Sequence, residues 1–103
     1  MNDVLGFRAR IYKVGILRCV DLPDRVGRHF SRWRNAPVRL AIGRHECTTR
    51  LVPRKEGGYR AFLDARLRKA AGVEAGDEVT VSVQLDLSID PEPFPDRRGS
   101  QII

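Results

Sequence analysis

The chain has 103 residues and a mass of 11.7 kDa, enough for one compact domain, because a second core would leave each half near the roughly 50 residues a stable domain needs. Hydrophobic residues at 42% and charged residues at 31% describe a globular chain, and no apolar run approaches the ~18 residues that would span a bilayer. Nineteen Lys and Arg against 13 Asp and Glu leave a net charge of +6, and 16 of the bases are arginine, a balance that points towards polyanionic partners. The first residues carry Asp3 and no apolar stretch of leader length, so an intracellular, cytoplasmic protein is expected, with no membrane partner. Cys19 and Cys47 are too few for a disulfide framework.

Phe7, Ala9 and Ile11 alternate with Arg8, Arg10 and Tyr12, the period of a half-buried strand. Gly15 supplies a turn, and a less regular run from Ile16 ends at Leu22-Pro23, since proline cannot donate to a sheet ladder. The two runs together predict a hairpin. Asp24 is placed to cap a helix over 24–34, where Val26, Phe30 and Trp33 make an apolar face and Arg25, Arg28, His29, Arg32 and Arg34 a basic one. Asn35-Ala36-Pro37 breaks that helix.

Val38, Leu40 and Ile42 alternate again, and after Gly43-Arg44-His45 a run from Glu46 to Val52 predicts the returning strand of a second hairpin, with Cys47, Thr49 and Leu51 on one face. A loop through Gly57-Gly58 leads to a strand over Tyr59–Leu63. Asp64 then caps a helix over Ala65–Ala71, Gly72 stops it in the left-handed conformation, and Val73 folds back. Ala75-Gly76-Asp77 turns into the clearest strand, where Val79, Val81, Val83 and Leu85 alternate with Thr80, Ser82, Gln84 and Asp86. By that parity Asp86 faces solvent. Three prolines between 91 and 95 exclude a regular ladder. The expected organisation is a barrel domain over residues 1–87 and a proline-containing extended tail over 88–103. Its fold class is all-β: a small closed or partly open barrel of about six strands with two short helices.

The stretch from Arg66 to Val81, LRKAAGVEAGDEVTV with its leading arginine, resembles the hallmark of an uncharacterised small β-barrel family. That family is a bacterial and archaeal domain of unknown function often found upstream of an OmpD-associated (bacteriocin-protection) domain. Phe7 to Ile11, Val20-Asp21-Leu22-Pro23, Val38 to Ile42 and the Leu51 to Tyr59 loop match in order, so the resemblance covers roughly residues 5 to 95. It implies a barrel without an assigned activity or functional residues. The same 66–81 stretch is similar to the second half of AbrB- and MazE-type swapped-hairpin factors, in which a helix, a Gly-Asp turn and a strand build an interleaved DNA-binding dimer. Here some sixty residues of other strands precede it, enough for one chain to complete its own barrel.

Arg25, Arg28, Arg32 and Arg34, extended by Arg8 and Arg10, form the candidate nucleic-acid surface, because guanidinium forks suit phosphate oxygens. Phe30 and Trp33 belong to the apolar stripe, and Trp33 is placed to lid one barrel mouth, with a small-molecule pocket beneath it as a further possibility. Tyr12 and Tyr59 are the remaining aromatics able to stack on bases. Cys47 and His45 share a strand face, yet no CxxC or HxxxH spacing supports a metal site, and no third group completes a Cys–His nucleophile. Asp77 is explained by its turn. The leading expectation is therefore a non-enzymatic binding module of unidentified ligand, without metal or other cofactor, as monomer or homodimer. Nucleic-acid binding through the basic helix and a pocket enzyme are the alternatives.

Overall fold

A computed structural model describes residues 3–89. Seven antiparallel strands form one sheet curled into a half-barrel: β1 (Leu5–Arg10), β2 (Tyr12–Val14), β3 (Leu17–Asp21), β4 (Pro37–Ile42), β5 (His45–Pro53), β6 (Tyr59–Leu63) and β7 (Glu78–Leu85). Two short helices, α1 (Asp24–Gly27) and α2 (Ala65–Ala71), accompany them, with a single 3₁₀ turn at Arg28–Phe30. The strand order is β1-β7-β4-β5-β6-β3-β2, so strands separated only by Ile11 lie at the two ends of the sheet. Among the described residues no helix is long and apolar enough to cross a membrane. The proline-containing part of the expected tail, from residue 90 onward, lies outside the described residues.

The core follows the alternation. Phe7 on β1, Val38 and Leu40 on β4, Leu51 on β5, Ala61 on β6 and Val79, Val81 and Val83 on β7 are buried, each large aliphatic contributing ~1.5–3 kcal/mol by leaving water. Val26 and Phe30 close one side of this core and Leu67 another.

The second hairpin, β4–β5, forms as expected, with Ile42 opposite His45 and Leu40 opposite Cys47. The first does not. The run from Phe7 to Tyr12 divides at Ile11: β1 pairs with β7 along its length, and only β2 pairs with β3. The cause is long-range, since β7 offers β1 a six-residue ladder whereas a local hairpin would leave β7 an uncovered edge.

Asp24 does not cap α1. Pro23 occupies the capping position with φ −61°, and its carbonyl accepts the amides of Val26 and Gly27, each at 2.9 Å. Proline's locked φ suits the residue that leads into a helix, two positions after β3 ends at Asp21. The helix is also shorter than 24–34. Asn35 adopts φ 40°, a conformation asparagine tolerates, and its Nδ2 donates to the Leu51 carbonyl at 3.1 Å, drawing the chain into β4.

The 64–73 segment matches its sequence reading closely. The Asp64 carboxylate accepts the Leu67 amide at 2.7 Å, and Gly72 sits at φ 69°, ψ 37°. The amides of Gly72 and Val73 return to the carbonyls of Lys69 and Arg68, a Schellman arrangement that satisfies two orphan acceptors. Asp77 behaves as expected, its Oδ2 accepting the Glu74 amide at 2.9 Å.

Asp86 is the exception to parity: it is 1% exposed rather than outward. β7 ends at Leu85, and in the turn that follows Asp86 Oδ1 accepts both the amide (3.0 Å) and the hydroxyl (2.6 Å) of Ser88, with Arg39 Nη2 at 3.9 Å. These Ser88 bonds, aided by Arg39, hold its carboxyl below the usual aspartate range. A depressed native pKa contributes stability that is fully present above the ordinary value near 3.9 and is lost as pH falls below it. Asp86→Asn should therefore flatten the acid limb of a stability-versus-pH curve measured by urea unfolding. At neutral pH, Leu40→Ala should cost about 2–5 kcal/mol and Asp64→Ala about 1 kcal/mol by the same measurement.

Candidate functional site

The β2–β3 ladder pairs Val14 with Leu17, Lys13 with Arg18 and Tyr12 with Cys19. Continued backwards, that register would set Arg10 against Asp21, Ala9 against Leu22 and Arg8 against Pro23. Among the described residues no such ladder forms, and an open cleft of about 380 Å³ occupies the gap, lined by these six residues and Tyr12. Three backbone features border the open seam. The Ile11 amide donates to the Asp77 carbonyl at 2.9 Å, and the Ile11 carbonyl accepts the Gly76 amide at 2.8 Å, so both groups face the turn ahead of β7. The Leu22 amide donates to the Tyr59 carbonyl at 3.0 Å, towards β6. Pro23 has no amide to offer.

One wall of the cleft is a strand edge. Arg25 Nη2 donates to the Gly6 carbonyl at 3.0 Å, which shows that the backbone polar groups of Gly6 point away from β7, while those of Ile11 point towards it. Strand alternation then turns the amides and carbonyls of Arg8 and Arg10 towards the cleft. Their side chains stand on the outer face: Arg8 reaches Glu78 and Thr80, each at 3.0 Å, and Arg10 reaches the Gly76 carbonyl at 3.1 Å. The Arg8–Glu78 pair is well exposed, and such pairs contribute at most about 1 kcal/mol, so Arg8 can be shared with a ligand at little cost.

The other wall is a polar network. The Tyr12 hydroxyl donates to Asp21 Oδ1, Arg54 Nη1 lies 3.4 Å from Asp21 Oδ2, and Arg54 Nη2 lies 3.5 Å from Glu56. The Arg60 guanidinium covers the Tyr12 ring at 5.9 Å from its centroid. Burial, followed by the bond to Asp21, pushes the Tyr12 phenol well above its usual value. Burial also raises the adjacent Cys19 thiol, against the opposing effects of Tyr12 and Arg60.

The sequence candidates disperse around this centre. Arg25 stands at one end of the Arg8–Arg10 row. Arg28 lines a separate cleft of about 160 Å³ with Tyr59 and Ser31. Arg32 packs over the Trp33 ring at 4.9 Å. Because α1 and its 3₁₀ extension stop at Phe30, Arg32 and Arg34 do not continue a helical face with Arg25 and Arg28. Phe30 is core, and Trp33 packs half-buried against it. His45 and Cys47 line a third cleft, about 480 Å³, with Asp64 and Arg66 beside α2, and burial raises the Cys47 thiol. Among the described residues no group of three or more His, Cys, Asp or Glu side chains is placed to hold a metal ion. Sequence reasoning passed over Asp21, Arg54 and Arg60. The signal available was Pro23, which disqualifies the next ladder position after Leu22.

The residues that line this seam, Arg8 to Pro23, fall within residues 7–83, the span matched by the family model Domain of unknown function (DUF1905). The chain belongs to that family. No curated protein matches it. The DUF1905 span runs from the middle of β1 to the penultimate stretch of β7, so it includes both walls of the cleft. Within that span the strand after α2 is paired on both sides by the same chain, with β1 and β4.

A raised phenol pKa favours the native state at pH values below the unfolded tyrosine value near 10, and this contribution is lost as pH rises beyond it. Ultraviolet titration should accordingly show one tyrosine that ionises late, and Tyr12→Phe should remove it.

Proposed function

We propose that this domain is a non-enzymatic binding module whose ligand is anionic and is taken at the cleft between β1 and β3. The observation that carries the reading is the failed ladder: a sheet otherwise paired strand to strand opens at one place, and the row Arg25, Arg8, Arg10 borders it. Spacing supports the row as a unit. Gly6, Arg8 and Arg10 share one strand face, so their positions repeat every ~6.6 Å, and Arg25 stands over the glycine that lacks a side chain. Burial raises both thiols, so neither Cys19 nor Cys47 is a ready thiolate nucleophile near neutral pH.

The test is fluorescence anisotropy of labelled polyglutamate and of single-stranded and duplex oligonucleotides against the full chain. At least one probe should bind at low salt and dissociate steeply as salt rises. Combined Arg10→Glu and Arg25→Glu should weaken it at least tenfold, whereas Arg44→Glu, at the β4–β5 turn, should not. Absence of binding to every probe at low salt overturns the reading.

A further inference from the structure

We infer that the cleft is a strand-addition site for an extended peptide segment that alternates acidic and apolar residues. This rests on the reading of the cleft as an anion-binding site and names the ligand class. The ladders and turn bonds of the described residues leave the backbone amides and carbonyls of Arg8 and Arg10 unpaired, facing the opening. A strand edge of this kind is a template for another extended chain, whose amides and carbonyls recur at the same spacing. Pro23, opposite Arg8 in the extended β2–β3 register, supplies no amide, and among the described residues no backbone bond joins Asp21 to Arg10, so β3 does not occupy that edge.

The edge from Arg8 to Arg10 accommodates about three residues, ~10 Å of extended chain, and a cleft of about 380 Å³ suits so short an insertion. Side-chain preference follows from the pleat. Ligand residues opposite Arg8 and Arg10 share their outer face and meet two guanidinium groups, which favours Asp or Glu there. The residue between them is directed inwards over Ala9, which packs against the core, and the buried Leu22, which favours an aliphatic side chain. Arg8 exchanges an exposed partner, Glu78, for the ligand carboxylate, and Arg10 adds a carboxylate to its carbonyl contact.

The same details disfavour a nucleic acid in this cleft. A sugar-phosphate chain has no donor–acceptor repeat that matches a strand edge, and Arg60 covers the Tyr12 ring on which a base would stack.

The decisive measurement is anisotropy of a short labelled peptide alternating aspartate and valine, titrated with the full chain, beside two alternately N-methylated forms in opposite registers, a lysine–valine peptide and oligo-dT. Saturable binding of the aspartate–valine peptide is expected, with one N-methylated register at least tenfold weaker than the other. Arg8→Glu with Arg10→Glu, checked for cooperative thermal unfolding, should lose that peptide tenfold or more and gain the lysine–valine one. Equal binding by both N-methylated registers overturns strand addition but leaves an anionic cleft intact. Oligo-dT binding in place of the peptide overturns it in favour of nucleic acid. Failure of every probe, polyglutamate included, overturns both readings.

Discussion

The backbone of Ile11 is bonded to the turn at Gly76–Asp77, its amide to one carbonyl and its carbonyl to one amide. Because Ile11 is 1% exposed, both bonds lie out of water, where an unmade partner would cost ~1–3 kcal/mol. This clamp divides one continuous run of alternating residues into two strands. The part before it is committed to β7, the part after it to β3, and the sheet is thereby led round from one end of its order to the other. The rest of the half-barrel is arranged by the hairpins β2–β3, β4–β5 and β5–β6 and by two long-range antiparallel pairings, β3–β6 and β4–β7, the latter carrying Leu40 and Val83 into the same layer of the core.

The cleft is the geometric remainder of that division. A strand cannot pair with β7 on one side, bend at Ile11, and keep a full ladder with β3 on the other unless β3 also offers donors along its whole length. The segment that follows β3 does not, because Pro23, opposite Arg8 in the extended β2–β3 register, has no amide. Removing donors from one wall while leaving a regular edge on the other makes the opening asymmetric: a strand edge flanked by arginines faces a wall held by Tyr12, Asp21 and Arg54.

Much of the fold was legible where the determining interactions are local. The strict alternation of β7, the Asp64 cap with its Gly72 stop, and the β4–β5 hairpin each depend on residues within about ten positions of one another, and each formed as its pattern implied. The structure departs from the local pattern where a distant partner, or a neighbour with its own backbone constraint, overrides the local option. The first run folds back on its neighbour only from Tyr12, because β7 gives Leu5–Arg10 a longer ladder. Asp24 has the chemistry of a cap, yet Pro23 already had the required backbone angle. Asp86 has outward parity only if the strand continues, and Ser88 ends it with a turn that draws the carboxylate inside. The spacing over 24–34 predicts one basic helical face, whereas Asn35 and the Leu51 carbonyl turn the chain after a single 3₁₀ extension.

The sequence by itself determined that this is a small all-β domain with short helices, an apolar interior set by period-two alternation, and an arginine-rich exterior, because alternation and capping act between near neighbours. Only the tertiary structure decided which arginines stand together. Arg25 joins Arg8 and Arg10 through the carbonyl of Gly6, nineteen residues distant, while Arg32, one helical turn beyond Arg28 in a continuous helix, is instead laid over Trp33. Such juxtapositions depend on which strand edge meets which corner of the barrel, and that is settled by the long-range clamp at Ile11 rather than by any spacing along the chain.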